Sequence, residues 1–335
     1  MLNKFLKTLI LIGVVFLFLP NTSLAQINID LPYALSNELS VDIIPTYPKP
    51  NEMVFFNLAL YTDDLNSADI TWYLDGKKVL SGKGETRYSF RTGPIGTESK
   101  IEIVIKLLSG ASFSKTFTLN PAGVDLVWEA NSYVPPFYKG KALHSRQGSL
   151  KIVAMPEFVK DGKRISPQNL IYKWSNGVNV YQNQNGYGKN VIILDGSILG
   201  KQENIEVLIT DPVNNLVAHG LLDITPVDPE IVFYQNDPYY GYIFEQNINN
   251  PFELKTNEIQ ILAAPYFFTK ERDGLLSYNW MLNGTSIKNL ENSRTAVFRK
   301  PEDQTSGRSN VTLRIENINR ILQQAENSLI MNFTK

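Results

Sequence analysis

The chain has 335 residues, 43% hydrophobic and 19% charged, which is the composition of a folded protein with room for two or three domains. Its 32 lysines and arginines are balanced by 33 aspartates and glutamates, so there is no excess positive charge for nucleic acid or an anionic membrane surface. The chain has no cysteine, which excludes disulfide bonds, thiolate metal sites and a lipid-modified cysteine. For an exported protein, this favours a bacterial envelope or secreted origin.

The first 25 residues have the pattern of a secretory signal peptide. Lys4 and Lys7 precede an apolar run at 9–19, and the small side chains of Ser23 and Ala25 suit a peptidase that cuts after Ala25. A retained signal anchor is the less favoured alternative, because the apolar stretch covers about fifteen residues and a bilayer span needs ~20. We therefore predict an exported protein, periplasmic, cell-surface or extracellular, with no integral membrane span after cleavage.

Three tryptophans mark a repeat in the rest of the chain. Trp72, Trp174 and Trp280 lie 102 and 106 residues apart, and an Asp-Gly or Asn-Gly pair follows each of them. A period of about a hundred residues is the size of a domain, so each unit should bury its own core. Asp-Gly and Asn-Gly predict a tight hairpin turn. We expect each tryptophan to lie on a strand and to face the core of its unit.

Further strands recur in register with the tryptophans. A strand of alternating apolar residues is centred 31, 33 and 33 residues after them, on Ile103, Val207 and Leu313. Upstream strands are predicted at 54–60, 149–155 and 258–264, and proline is expected to stop the last two. Helical spacing of apolar residues at 318–325 predicts one or two helical turns in the last connection of the third unit.

These patterns predict an all-β chain of three tandem immunoglobulin-like β-sandwiches with Greek-key connections. The units are placed at 26–120, 121–226 and 227–335, after the signal peptide at 1–25. Proline-containing linkers at 120–123 and 225–229 should hold the units end to end with restricted swivel.

The tryptophan motif carries a resemblance to a known family. Tyr278-Asn279-Trp280-Met281-Leu282-Asn283-Gly284, followed by Val-Thr-Leu-Arg-Ile-Glu-Asn at 311–317, resembles PKD-type and related bacterial immunoglobulin-like domains. The resemblance covers the whole mature chain, although the first unit has Ile70 in place of the tyrosine. It implies a surface or secreted interaction module, of the kind used as spacers, adhesin segments and envelope-assembly parts, without catalytic residues.

Candidate catalytic and metal-binding residues are few. The two histidines are His144, beside Ser145, and His219, beside Gly220, and neither is accompanied by a nucleophile motif or by an aspartate at a familiar spacing. We therefore predict no enzymatic activity and no cofactor, and zinc is unsupported by two imidazoles without a thiol. A weak Ca²⁺ site is conceivable at Asp63, Asp64 and Asp69 or at Glu271 and Asp273, against the alternative that such residues cap solvated turns.

Aromatic residues cluster at the start of the second and third units. They are Tyr133, Phe137 and Tyr138 in the second, and Phe233, Tyr234, Tyr239, Tyr240, Tyr242 and Phe244 in the third. We favour the interpretation that they seal the joint between successive sandwiches, and the alternative is an exposed platform that stacks on sugar rings or anchors a protein. The leading hypothesis is thus a non-enzymatic structural, adhesive or envelope-assembly protein, whose partners are other envelope or surface proteins. The rival hypothesis is a carbohydrate-binding protein that uses Tyr239, Tyr240 and Tyr242.

Overall fold

The computed structural model describes residues 39–198, 202–270, 275–303 and 305–334. The predicted signal peptide, residues 26–38 and the candidate calcium ligands Glu271 and Asp273 lie outside these ranges. Within them the chain is all-β, as the sequence predicted, and the helical residues are four short 3₁₀ helices, Leu65–Ser67, Pro167–Asn169, Gln182–Gln184 and Lys288–Leu290. The described part has no helix long and apolar enough to span a membrane.

The first sandwich consists of two facing antiparallel sheets. One sheet has the order β1-β2-β5 and the other the order β4-β3-β6-β7, so the chain crosses between the sheets in the Greek-key manner. The strands are β1 Ser40–Ile44, β2 Met53–Ala59, β3 Asp69–Leu74, β4 Lys77–Lys83, β5 Arg87–Arg91, β6 Ser99–Lys106 and β7 Ser112–Leu119.

The second sandwich repeats this arrangement. Its sheets have the orders β14-β9-β8 and β13-β12-β15-β16, and β10 and β11 form a small hairpin. The strands are β8 Gly123–Ala130, β9 Ser149–Glu157, β10 Val159–Lys160, β11 Lys163–Arg164, β12 Ile171–Ser175, β13 Gly186–Tyr187, β14 Val191–Asp195, β15 Glu203–Asp211 and β16 Leu216–Ile224.

The third sandwich has the same plan with one added strand at an edge of each sheet. Its sheets have the orders β18-β17-β20-β23 and β19-β25-β24-β21-β22, and the added β19 pairs parallel to β25. The strands are β17 Glu230–Asp237, β18 Gly241–Tyr242, β19 Phe252–Leu254, β20 Glu258–Tyr266, β21 Leu276–Leu282, β22 Thr285–Ser286, β23 Thr295–Arg299, β24 Ser306–Asn317 and β25 Gln324–Thr334.

Each sandwich encloses its own apolar core around one tryptophan. Trp72, Trp174 and Trp280 are fully buried, and each belongs to a separate cluster with residues from both sheets. Their cross-strand partners are the residues on which the repeated downstream strands are centred, Ile103, Val207 and Leu313. Each indole N–H donates to a backbone carbonyl at 2.8 Å. The acceptors for Trp72, Trp174 and Trp280 are the carbonyls of Glu85, Lys189 and Ser293 respectively. The indoles therefore bury a large apolar surface without leaving a polar atom unpaired.

Two of the three predicted hairpin turns have the expected tight form. Asp75 and Gly76, and likewise Asn283 and Gly284, have positive φ angles and connect their strands by two residues. The prediction was wrong for the second copy, where a four-residue turn is closed by an isolated bridge between Ser175 and Val180. There the Asn176 side chain accepts hydrogen bonds from the amides of Val178 (3.2 Å) and Asn179 (2.6 Å), which stabilises the wider turn.

Two further local predictions were wrong. Strands β9 and β20 continue through Pro156 and Pro265. The last hydrogen bonds towards the β14 and β23 side are donated by the amides of Ala154 and Ala263, to the carbonyls of Asn190 and Arg294. The prolines lie beyond this pairing, so their missing N–H groups are not needed there. The segment 318–325 is not helical. Residues 318–323 form the turn between β24 and β25, closed by a hydrogen bond from the Asn317 amide to the Gln323 carbonyl (2.9 Å), and residues 324 and 325 begin β25.

Candidate functional site

The second and third sandwiches are joined by backbone pairing. The connection between β8 and β9 lies along the chain that follows β20, with an isolated antiparallel bridge between Ser132 and Thr269. The Tyr133 amide donates to the Phe268 carbonyl (2.7 Å), and the Tyr133 carbonyl accepts from the Phe267 amide (2.8 Å). Such pairing fixes the direction of one chain relative to the other. The β8–β9 connection is therefore attached to the third sandwich although it belongs to the second.

A buried glutamine adds a polar connection at the same joint. Gln323 is fully buried, and its amide nitrogen lies within hydrogen-bond distance of Ser145 Oγ (3.0 Å), the Arg146 carbonyl (2.9 Å) and Thr269 Oγ1 (2.7 Å). Its side-chain oxygen accepts from the Thr269 amide (3.0 Å) and from Asn317 Nδ2 (3.2 Å). One side chain thus satisfies polar groups of both sandwiches, which resists their separation.

Aromatic residues fill the apolar part of the joint. Tyr234, Tyr266 and Phe267 form a buried cluster of the third sandwich, and Tyr133 and other residues of the β8–β9 connection pack against it. The hydroxyls of Tyr234 and Tyr266 are 2.6 Å apart. Burial and this contact raise the pKa of Tyr266, so its hydroxyl stays protonated at any physiological pH. Tyr138 contacts Tyr266 edge-on, with ring centroids 5.5 Å apart.

The nine candidate aromatic residues therefore have different environments. Tyr133, Tyr138, Tyr234 and Phe244 lie in the joint or against it, whereas Phe233 belongs to the core of the third sandwich, 5.8 Å from Trp280 between ring centroids. The remaining four extend towards solvent, with exposed fractions of 92% for Phe137, 92% for Tyr239, 86% for Tyr240 and 44% for Tyr242.

The two most exposed tyrosines of the third sandwich lie on an ordered turn. The Asp237 carboxylate accepts hydrogen bonds from the amides of Tyr239 (2.8 Å) and Tyr240 (3.1 Å), and Gly241 follows with a φ of 74°. An aspartate that accepts from the amides two and three residues later defines a compact turn. Tyr239 and Tyr240 are thus presented at the tip of the β17–β18 hairpin, where each ring has little contact with the rest of the chain.

A pocket of about 450 Å³ opens beside this hairpin, and we call it the joint pocket. Both sandwiches contribute to its walls, since Tyr133 and Pro136 come from the second and the other residues from the third. Its lining consists of Tyr133, Pro136, Tyr242, Phe244, Leu262, Arg294 and Thr295. Aromatic rings, one cation and a few hydroxyl groups in a concave surface are the usual composition of a ligand site.

Arg294 is the charged residue of the joint pocket. Its Nε donates to the Ala263 carbonyl (3.0 Å), its Nη2 donates to the Tyr133 hydroxyl, and the guanidinium carbon lies 4.6 Å from the centre of the Tyr133 ring. Within the described residues, no carboxylate lies within 4.0 Å of this half-buried guanidinium. Sequence reasoning missed Arg294, because no residue pattern distinguishes an arginine without an acidic partner from the other basic residues of a neutral chain.

The two histidines are not brought together. The His144 ring is buried beside Gly148 and Gly196 of the second sandwich, and neither ring nitrogen has a hydrogen-bond partner among the described residues. Its Nε2 lies 3.9 Å from Glu203 Oε1, which is too far for a hydrogen bond. This contact and the Ser197 amide lower the pKa of Glu203 against the opposing effect of burial. His219 lies edge-on to Tyr47 of the first sandwich, with ring centroids 6.2 Å apart.

The candidate calcium ligands near Asp64 cap a turn. Asp64 Oδ1 accepts from the backbone amide (2.9 Å) and the side-chain amide (2.8 Å) of Asn66, at the start of the 3₁₀ helix Leu65–Ser67. These bonds lower the pKa of Asp64, because they stabilise its ionised form. In the described part of the chain, Asp63, Asp64 and Asp69 do not form a three-residue group that could hold a metal ion.

Comparisons with known proteins found distant similarity to solved structures. No family model and no curated protein matches the chain. Among solved structures, three domains of the bacteriophage RB49 outer capsid protein Hoc are 12% identical, with 89% of this chain and 99% of that chain covered and a TM-score of 0.27. A fibronectin-III array of RIM-binding protein is 11% identical, with 88% and 95% covered and a TM-score of 0.27. Bacteroides ovatus SGBP-B, solved with a mixed-linkage heptasaccharide, is 12% identical, with 88% and 70% covered and a TM-score of 0.22.

Proposed function

We propose that this chain is an exported, non-enzymatic protein that serves as a structural or adhesive part of a surface or envelope assembly. In this proposal the signal peptide at 1–25 is removed, and the three immunoglobulin-like domains at 26–120, 121–226 and 227–335 include a PKD-like third domain. Its partners are other envelope or surface proteins.

The observation that carries the proposal is the joint between the second and third sandwiches. Backbone pairing and the buried Gln323 hold two self-contained cores in one arrangement. Such a joint presents loops and hairpin tips at a constant spacing, which is what a spacer or adhesive module requires. The two histidines add no support for catalysis, since His144 is buried beside Gly148 and Gly196 and His219 lies beside Tyr47.

Two measurements test this proposal. Solution scattering on the mature protein should show an elongated particle, on the order of 100 Å long for three domains of typical strand length. Cross-linking on intact cells should capture the protein with other envelope or surface proteins. A compact globular particle would exclude the spacer role, and capture confined to cytosolic proteins would exclude export.

The second candidate function is carbohydrate binding, and the exposure of Tyr239 and Tyr240 at 92% and 86% favours it. Rigid rings that face solvent can stack on sugar rings at a small entropic cost. Alanine at Tyr239, Tyr240 and Tyr242 together should abolish retention by glycans and leave the thermal unfolding midpoint unchanged. Tyr61 is 77% exposed on the first sandwich, so Tyr61→Ala is the matched control. Reduced thermal stability of the triple variant would instead assign these tyrosines to the joint.

A further inference from the structure

Among the described residues, Arg294 has no carboxylate within 4.0 Å to balance its charge. A half-buried cation is usually paired with a carboxylate, because burial removes part of its hydration. Arg299, at the end of the strand that follows Arg294, is exposed and still has such a partner, with its Nε 2.6 Å from Glu258 Oε2. Arg294 has a carbonyl, a hydroxyl and a ring as partners in the described residues, without a negative charge. The joint pocket therefore presents a net positive group to whatever enters it.

The guanidinium is held in place before any ligand binds. A guanidinium has five N–H donors, and those of Arg294 that meet acceptors in the described residues point at Ala263 and Tyr133. The centre of the Tyr133 ring lies 4.6 Å from the guanidinium carbon and adds a cation–π contact. The donors that remain can form the paired hydrogen bonds that a carboxylate accepts. Little side-chain entropy would be lost on binding, since the geometry is already set.

The other walls of the pocket suit a ring with an apolar face and polar edges. Tyr133, Tyr242 and Phe244 supply aromatic surface, and Thr295 and Tyr133 supply hydroxyl groups. Sugar rings have this combination of C–H faces and hydroxyl edges, so the rings and hydroxyls of the pocket match their chemistry. The exposed Tyr239 and Tyr240 precede Tyr242 in the β17–β18 hairpin and lengthen the aromatic surface beside the pocket.

We propose that the joint pocket binds a carboxylated sugar unit of an acidic polysaccharide, with Arg294 as the partner of the carboxylate. This inference rests on the carbohydrate-binding candidate above and names its ligand class. It also gives the joint a role in binding, because Tyr133 of the second sandwich and Arg294 of the third both form the site.

Affinity electrophoresis of the full mature chain tests this assignment. The probes are polygalacturonate, alginate and hyaluronan, with methyl-esterified pectin and a neutral β-glucan as uncharged comparisons. We expect at least one acidic polymer to retard the wild-type protein, and we expect the retardation to weaken as salt is added. Arg294→Gln should weaken that binding about tenfold or more, the loss expected for a charge-assisted pair of hydrogen bonds.

Matched variants separate this site from general electrostatic attraction. Arg299→Gln removes the same charge at a nearby exposed position, the last residue of β23, and should leave retardation unchanged. Tyr242→Ser removes a ring of the pocket without touching Arg294 and should also weaken binding, which covers the case that Arg294→Gln does not fold. Equal effects of Arg294→Gln and Arg299→Gln would overturn the inference, as would no retardation by any acidic polymer. Retardation by the neutral β-glucan alone would leave carbohydrate binding standing and exclude the acidic ligand.

Discussion

Replacement of Gln323 by leucine should destabilise the joint between the second and third sandwiches. Leucine has a similar size but cannot form the hydrogen bonds of the buried amide. The hydroxyls of Ser145 and Thr269 can rotate towards other partners, but the Thr269 amide and the Arg146 carbonyl are backbone groups that cannot. Each unsatisfied buried group costs about 1–3 kcal/mol, and the Arg146 carbonyl should cost less than the Thr269 amide because it lies nearer to solvent. We therefore expect the two groups together to lower the free energy of unfolding by about 2–4 kcal/mol.

Urea unfolding with hydrogen exchange at the Thr269 amide measures this effect. Gln323→Leu should lower the unfolding midpoint of the second and third sandwiches and speed exchange at Thr269, while the transition of the first sandwich stays in place. The neighbouring Gln324 is exposed and contacts Arg314 at 3.2 Å, so Gln324→Leu is the control and should change stability by less than about 0.5 kcal/mol. Equal midpoints for the two variants would refute the reasoning that Gln323 connects the sandwiches.

Three further predictions concern the second sandwich. Trp174→Ala should lower the free energy of unfolding, measured in urea, by about 3–5 kcal/mol, because it leaves a cavity where the fully buried indole was. A decrease of less than about 1 kcal/mol would contradict the assignment of Trp174 to the core. Gly220→Ala should cost about 1–3 kcal/mol, since its new Cβ would lie 2.9 Å from Val124 Cγ1, whereas Gly123→Ala, with no contact nearer than 3.8 Å, should be close to neutral. The lowered pKa of Glu203 predicts a contribution to stability that is present above its unfolded pKa and is lost as the pH falls. Glu203→Gln should therefore reduce the loss of stability between about pH 7 and pH 3, and an unchanged pH dependence would contradict this.

The repeat and the register of its strands could be predicted from local sequence patterns. Period-two alternation indicates which residues face the core, and it located the strand centred on Ile103, which the structure pairs with the strand of Trp72. The turn pairs Asp75-Gly76 and Asn283-Gly284 form as expected because positive φ angles at both positions depend on those residues themselves. Asn176 deviates because its side chain accepts from amides further along the turn.

The features that the sequence did not predict depend on contacts between distant residues. The pattern at 318–325 has helical spacing, but Ile318 and Ile321 are 64% and 74% exposed, and the turn is held by Gln147 of the second sandwich, which accepts from the Leu322 amide at 2.9 Å. The partner lies 175 residues away in the chain, beyond any local pattern. Tertiary contact thus overrode local spacing.

The candidate site was predicted in part. The position of the aromatic residues after the linkers was compatible with a covered joint or with an exposed surface. In the structure, some of these residues lie in the joint and others face solvent. Sequence order could not separate Tyr234, which is 5% exposed, from Tyr239, which is 92% exposed. Which ring is covered depends on the β8–β9 connection, and that connection comes from the preceding sandwich. Arg294 was missed for the same reason, since the absence of a carboxylate near it in the described part of the chain is a property of the folded joint.

The most direct test of this account is the distance distribution between spin labels on the second and third sandwiches. The chain has no cysteine, so cysteines introduced at the exposed positions of Lys173 and Arg308 can be labelled without background. The account predicts a single narrow distribution in the mature protein, and a broader one when Gln323→Leu is added. A broad distribution in the protein with native Gln323 would show that the sandwiches move independently, and a binding pocket with walls from both could not persist.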